Sequence, residues 1–168
     1  MSPNTTSLAT LLRRPLIAIT DDTTVLEALA LARVEHLHHL PVLHEGDLVG
    51  LVCTCDLQSA TPEQSVGAVM SQPAVTLDLG ATVLDAALAL EKHDVGSVVL
   101  LEGSRPSGIV TRGDLLLAEP ALAQVLSKTR CECCHLTRHL RRDSDGHILC
   151  IYCLEPGVDG RLIHFAAE

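Results

Sequence analysis

Apolar residues along this chain alternate between two periods, and the order of the periods recurs 58 residues further on. "PLIAIT" (15–20) and "PAVTLD" (73–78) are short apolar runs after a proline and predict a first strand in each copy. Thr24 and Thr82 each stand three residues before an acid, Glu27 and Asp85, the spacing of a capping box that opens a helix. Leu26, Ala30, Val34 and Leu37 follow at intervals of four, four and three, which places them on one helical face. "HLPVLHEGDLVGLV" and "SVVLLEGSRPSGIV" each divide into two β-rich runs around a turn containing glycine. A last helix begins near Asp56 in one copy and Asp114 in the other. The predicted order is β-α-β-β-α, twice, an α/β (α+β) fold.

The duplication needs no gap. Laid over 65–115, residues 7–57 match at eleven positions: Ser7/Ser65, Pro15/Pro73, Thr24/Thr82, Val25/Val83, Leu26/Leu84, Ala28/Ala86, Leu43/Leu101, Gly50/Gly108, Val52/Val110, Asp56/Asp114 and Leu57/Leu115. Two copies of one unit, each with an apolar face that the other covers, account for this pattern.

"HHLPVL", "GLVCTCDL" and "GIVTRGDL", taken in this order and spacing, resemble the CBS domain family, whose members usually occur in tandem pairs. The resemblance covers about residues 7–118 and divides the chain into repeat one (7–60), repeat two (65–118), a linker helix (119–129) and a C-terminal segment (130–168). It implies two copies packed about a pseudo-twofold axis, with clefts between them that often hold adenosine nucleotides (AMP, ADP or ATP) or a related adenosyl ligand. It also implies a homodimer and a regulated protein partner.

Within that family a Ser or Thr three residues before an Asp contacts the ribose, and the matching residues here are Thr111 and Asp114. The same two residues also satisfy a plain capping box, worth about 1 kcal/mol. The resemblance completes the cleft with Thr20, Leu37, His38 and His39 from repeat one, and His38, His39 and Arg112 are the candidates for phosphate contacts. The second cleft keeps Asp56 but has Cys53 in place of the threonine, and a thiol is a weak hydrogen-bonding group. Asp78, Gly96 and Ser97 would face it, and Asp78 adds an anion. One nucleotide per chain is therefore expected.

Cysteine spacing singles out the last quarter of the chain. Cys131 and Cys134, then Cys150 and Cys153, form two Cys-x-x-Cys pairs fifteen residues apart, within the range of a four-cysteine zinc site. Between them "LTRHLRR" and "HILC" predict a hairpin around "DSDG". The segment resembles a zinc ribbon, and so short a fold needs the metal to offset its ordering entropy. A rubredoxin-like iron site lacks its usual glycines and aromatic shell here, and a redox dithiol does not explain two pairs. Cys133, His135 and His139 are alternative ligands. With four thiolates the site is closed, hence structural. A second cluster, His36, His38, His39 and His44 with Cys53 and Cys55, is read as histidines at a helix end and cleft rim in preference to a metal site.

Charge separates the two parts. Residues 1–125 carry six Lys or Arg against fifteen Asp or Glu, and residues 126–168 carry six of each. An acidic body disfavours wrapping by nucleic acid. Arg138, Arg141 and Arg142 leave a second reading, in which a zinc ribbon binds nucleic acid and the repeats serve as a dimerisation scaffold. No stretch reaches the length of about 18 apolar residues for a bilayer span, and "MSPNTTSLATLLRRP" lacks the order of a signal peptide, so a cytoplasmic protein without membrane contact is expected. No nucleophile, base and orienting group converge in one motif, and the protein is not read as an enzyme.

Overall fold

The computed structural model describes residues 6–126, 130–131, 140–150 and 154. Repeat one comprises β1 (Ile19–Thr20), α1 (Val25–Val34), β2 (His39–His44), β3 (Asp47–Cys53) and α2 (Thr54–Gln58). Repeat two follows with β4 (Thr76–Asp78), α3 (Val83–His93), β5 (Ser97–Glu102), β6 (Arg105–Thr111) and α4 (Arg112–Ala118). Each copy folds into a three-stranded sheet, in which the first strand pairs parallel and the third antiparallel to the middle one. The equivalence extends to single residues. His39 pairs with Cys53 as Ser97 pairs with Thr111, and both hairpins shift register at the same place, between Val42 and Leu43 and between Leu100 and Leu101.

All four helices start in the same way. Thr24, Cys53, Thr82 and Thr111 are the N-caps, and in each case an acid three residues on accepts a hydrogen bond from the cap backbone N–H. The backbone bonds are 2.9 Å for Thr24 to Glu27, 2.9 Å for Thr82 to Asp85 and 2.8 Å for Thr111 to Asp114, but 3.5 Å for Cys53 to Asp56. The larger, softer sulfur of Cys53 accounts for the looser box.

The buried face of α1 is not the stripe that periodicity suggests. Val25, Ala28 and Ala32 are buried, whereas Leu26 and Val34 are 58% and 73% exposed; of the expected set only Leu37, beyond the helix end, enters the core. The helix "VLEALALARV" is apolar on two flanks, so spacing alone does not choose between them. The sheet does, by taking the small side chains of Ala28 and Ala32, which let the helix approach closely. In α3 the choice is the same: Val83, Ala86, Ala87 and Leu90 are buried and Leu88 faces out.

Sequence repeat and packed unit are offset. Leu8 lies in the core of repeat two with Val83, Leu100 and Leu115, and Val66 lies in the core of repeat one with Val25, Leu40 and Val52. Backbone bonds fix both exchanges, from Leu8 N–H to the Ala81 carbonyl at 2.9 Å and from Val66 N–H to the Thr23 carbonyl at 2.8 Å. The two observed first strands are shorter than predicted for the same reason. Their leading halves leave the sheet, and the segment 11–17 runs over β6 of the other copy. β3 and β6 meet across the pair.

Past α4, Pro120–Gln124 forms a short 3-10 helix, and Leu122 and Leu126 return to the core of repeat two. The hairpin predicted around "DSDG" is present as β7 (Leu140–Arg142) and β8 (Ile148–Cys150), with Leu140 opposite Cys150. In its turn the Asp143 carboxylate accepts from the Asp145 and His147 backbone N–H groups, at 2.9 and 2.8 Å. Cys131 is buried, while Cys134 and Cys153 lie outside the described residues.

At the far end of β2, His44 Nδ1 lies 3.0 Å from the Asp21 carboxylate. Their hydrogen bond holds the Asp21 carboxyl below its ordinary pKa and the His44 imidazole above its own. The His44 contribution is fully present below the unfolded imidazole pKa and is lost as pH rises through the raised folded value. The Asp21 contribution is present above its unfolded pKa and is lost as pH falls through the lowered one. The pair therefore acts in the window between. Titration followed by NMR will show a His44 midpoint above that of an exposed histidine, and Asp21→Asn will bring it down; an unchanged midpoint would exclude the pair.

Candidate functional site

The cleft between the repeats is built by segments far apart in sequence. The strap 11–17, the turn 36–39 between α1 and β2, the end of β6 (Gly108, Ile109 and Thr111) and Asp114 of α4 enclose a cavity of about 470 Å³. Ligand pockets commonly span roughly 300–1,000 Å³. Gly108 sets its floor: a Cβ there would lie 2.4 Å from Leu12 Cδ2, so the strap rests directly on β6. Gly50 does the same work in the other copy, under Met70 and Ser71. This close approach is the physical reason that the duplicated pair Gly50/Gly108 has no side chain.

Thr111 ends β6 and caps α4, so strand, cap and helix fix its position in one step. Asp114 Oδ2 accepts from the Thr111 backbone N–H at 2.8 Å and from its hydroxyl at 2.6 Å. One carboxylate oxygen is thus committed to the cap. Oδ1 remains for a ligand, and a fixed carboxylate accepts strongly from paired hydroxyls. His38 and His39 of the other copy line the same cavity with Leu37, and the Thr54 N–H holds the His38 carbonyl at 2.9 Å.

Five of the eight expected binding residues separate from the other three. Thr111, Asp114, Leu37, His38 and His39 line the cavity. Thr20 does not; its hydroxyl turns to Asp22 and Thr23 within its own loop. Arg112 does not either. As the first residue of α4 it projects away from the Thr111–Asp114 edge, donates to the Leu126 carbonyl at 2.5 Å and lies 3.7 Å from Glu91. Burial, and then the nearby Arg130, lower its guanidinium pKa. Asp56 closes the cap of α2 with Cys53.

Glu91 collects a second arginine. Arg130 Nη2 lies 2.9 Å from its Oε1, Arg130 Nη1 donates to the Val95 carbonyl at 3.3 Å, and the Arg130 side chain is only 4% exposed. The start of the C-terminal segment is thereby clamped behind the turn that carries Thr111 and Asp114. Arg112 was expected at the ligand because the family resemblance implies basic residues by the phosphates; helix geometry turns it about 100° from its neighbour Thr111.

The strap residues Arg13 and Arg14, and His36 in the facing turn, line the same cavity and were missed. A signal was available, since they belong to the few cationic or titratable residues of an acidic body. Among the described residues the histidine and cysteine cluster does not converge; the group whose donor atoms lie within 4.8 Å of one another is Asp143, Asp145 and His147, in the hairpin turn.

The sequence pattern of the CBS domain matches residues 8–63 and 66–120, and the chain belongs to this family as a tandem pair. A CBS domain-containing protein of Dictyostelium discoideum is 32% identical over 63% of this chain and 86% of its own length. An uncharacterized protein of Methanocaldococcus jannaschii is 28% identical over 66% of this chain, which spans 31% of that longer protein. Three solved structures share the fold. They are the CBS pair of protein MJ0100 with 5′-methylthioadenosine and S-adenosylmethionine (TM-score 0.64, 23% identity, 69% of this chain and 97% of that one), CBSX2 with AMP (0.60, 23%, 70% and 98%), and the CBS domain of a bacterial CNNM/CorC magnesium transporter with ATP (0.60, 22%, 67% and 86%). No helix among the described residues is long and apolar enough to cross a membrane.

Proposed function

We propose that the cleft binds an adenine nucleotide or related adenosyl ligand and that its occupancy regulates a partner. The observation that carries this reading is the meeting of Thr111 and Asp114 of repeat two with the 36–39 turn of repeat one around one cavity. The adenosyl ligands bound by CBSX2, protein MJ0100 and the transporter domain support it. The base would lie against aliphatic side chains such as Leu12, Leu37 and Ile109. Asp114 serves as acceptor and cap, and no step of covalent chemistry is assigned to it.

Regulation needs a route out of the cleft. The Arg112–Glu91–Arg130 clamp supplies one, because it ties the ligand turn to the C-terminal segment in a largely buried contact. Coupling then follows if the segment adopts two states of different ligand affinity. The C-terminal segment fits a closed, structural zinc ribbon held by Cys131, Cys134, Cys150 and Cys153, to the extent that the described β7–β8 hairpin brings the end of one cysteine pair beside Leu140. The exposed apolar residues Leu26, Val34 and Leu88 are available to the homodimer that the family implies.

Calorimetry on metal-replete protein with AMP, ADP, ATP and S-adenosylmethionine tests the reading. One ligand per chain is expected, and no heat from any of them would remove it. Elemental analysis of the same sample should find about one zinc per chain, and less than about half would count against the ribbon.

A further inference from the structure

We infer that Arg13, Arg14 and the 36–39 turn make this cleft selective for the phosphates of its ligand, favouring nucleoside di- and triphosphates over adenosyl ligands without phosphate. This deepens the nucleotide reading and rests on it.

The internal repeat acts as a control built into the molecule. At the 58-residue offset, Arg13, Arg14, His36, His38 and His39 correspond to Ser71, Gln72, Asp94, Gly96 and Ser97. Around the 36–39 turn the scaffold is the same in both copies. His36 and Asp94 both adopt a left-handed backbone, with φ of 53° and 54°. His39 and Ser97 occupy one register position, opposite Cys53 and Thr111. Leu12 and Met70, each just ahead of the compared pair, cover Gly108 and Gly50. In this turn His36, His38 and His39 give way to Asp94, Gly96 and Ser97 on a matching backbone, and on the strap Arg13 and Arg14 give way to Ser71 and Gln72, so each cationic or titratable residue of the first cleft has a neutral or acidic counterpart. In the turn, scaffold needs do not explain the difference, since the same backbone carries both sets.

Charge accounting points the same way. Only six Lys or Arg occur in the first 125 residues, against fifteen acids, and two of the six sit side by side on this strap. An acidic body repels anions, so an anion site on it needs local cations. Arg14 uses one donor on the Glu35 carbonyl, at 3.3 Å, and Arg13 makes no hydrogen bond or ion pair among the described residues. Guanidinium forks suit phosphate oxygens. Asp114, an anion, lines the same cavity and suits ribose hydroxyls, not phosphates, which leaves the strap arginines for the phosphates. The sulfonium of S-adenosylmethionine would meet like charge at Arg13 and Arg14, a built-in selection against it.

Calorimetry with adenosine, AMP, ADP, ATP, S-adenosylmethionine and tripolyphosphate, on the full chain and on R13A/R14A, tests this. Affinity should rise at least about tenfold from AMP to ATP, the size of one charge-assisted contact or more. R13A/R14A should remove that gain and leave adenosine unchanged, and R13K/R14K should keep part of it, because lysine retains charge without the fork. Both arginines are exposed, so a melting curve should show the variant folded. If R13A/R14A binds ATP as tightly as the native chain, or if S-adenosylmethionine binds as tightly as ATP, the inference is overturned. In that event Asp114→Ala tells the two levels apart. Weakened adenosine and ATP binding keeps the cleft as a nucleotide site, whereas no effect on any ligand overturns the nucleotide reading as well.

Discussion

Glu91→Ala will lower stability by about 3 kcal/mol and the melting temperature by roughly 6–12 °C, the largest effect expected for any substitution outside the apolar cores. Glu91 Oε1 lies 2.9 Å from Arg130 Nη2 and 3.7 Å from Arg112 Nη1. Its removal takes a shared counter-ion from two guanidinium groups that are only 4% and 17% exposed. Asp94, at 3.9 Å from Arg130 and half exposed, compensates little. Removing one partner of a buried pair commonly costs about 3–5 kcal/mol, and the lower end applies because Glu91 retains 15% of its exposure. Replacing Arg130 by Met should cost less, since it removes a cation along with its need for a partner. Thermal melts of the three proteins check the order; an unchanged midpoint in Glu91→Ala would show that the clamp carries no stability. The same variant bears on regulation. If the clamp couples cleft and segment, nucleotide binding should protect backbone amides around 126–131 from hydrogen exchange in the native chain and should not in Glu91→Ala.

Asp114→Ala should reduce nucleotide affinity about 10- to 100-fold, while Asp85→Ala leaves it unchanged. The two acids have near-identical local chemistry. Each closes a capping box, with cap bonds of 2.8 Å from Thr111 and 2.9 Å from Thr82, so each substitution should cost up to about 1 kcal/mol of stability. Only Asp114 lines the cleft. Losing hydrogen bonds from ribose hydroxyls to a charged acceptor is worth about 1.5–3 kcal/mol, which gives the stated range. Equal melting temperatures with unequal affinities would separate the two roles. If Asp114→Ala and Asp85→Ala bind nucleotide alike, Asp114 is a helix cap and nothing more.

The four caps show why much of the fold was legible in advance. A capping box is a contract between residues three apart, and it holds wherever the strand before it ends. Hairpin turns behave likewise: Glu45 and Gly46 take positive φ of 50° and 94° between β2 and β3, as a turn containing glycine requires. The duplication added long-range information, because two copies of one unit must fold alike. The pairing of Thr111 and Asp114 with Leu37, His38 and His39 of the other copy came instead from the resemblance to the CBS family.

Other features were hidden because they depend on what lies opposite. The strand predicted from residue 15 begins at Ile19, since its leading half belongs to the strap that lines the cleft, just after Leu12 has covered Gly108. Arg13 and Arg14 reach the cleft only through that crossing. Thr20, expected in the cleft, is held by Asp22 and Thr23 instead, and Arg112 is held by Glu91 and the Leu126 carbonyl.

Sequence alone determined the two β-α-β-β-α copies, their caps, their turns and the C-terminal hairpin, because each is written in residues close together and written twice or bracketed by turn chemistry. Tertiary structure decided which flank of α1 is buried, which copy's core receives Leu8 and Val66, and which cations surround the cleft. Those outcomes turn on contacts between segments tens of residues apart, where Ala28 and Ala32 win over Leu26 and Val34 by allowing closer packing, and no local pattern records that competition.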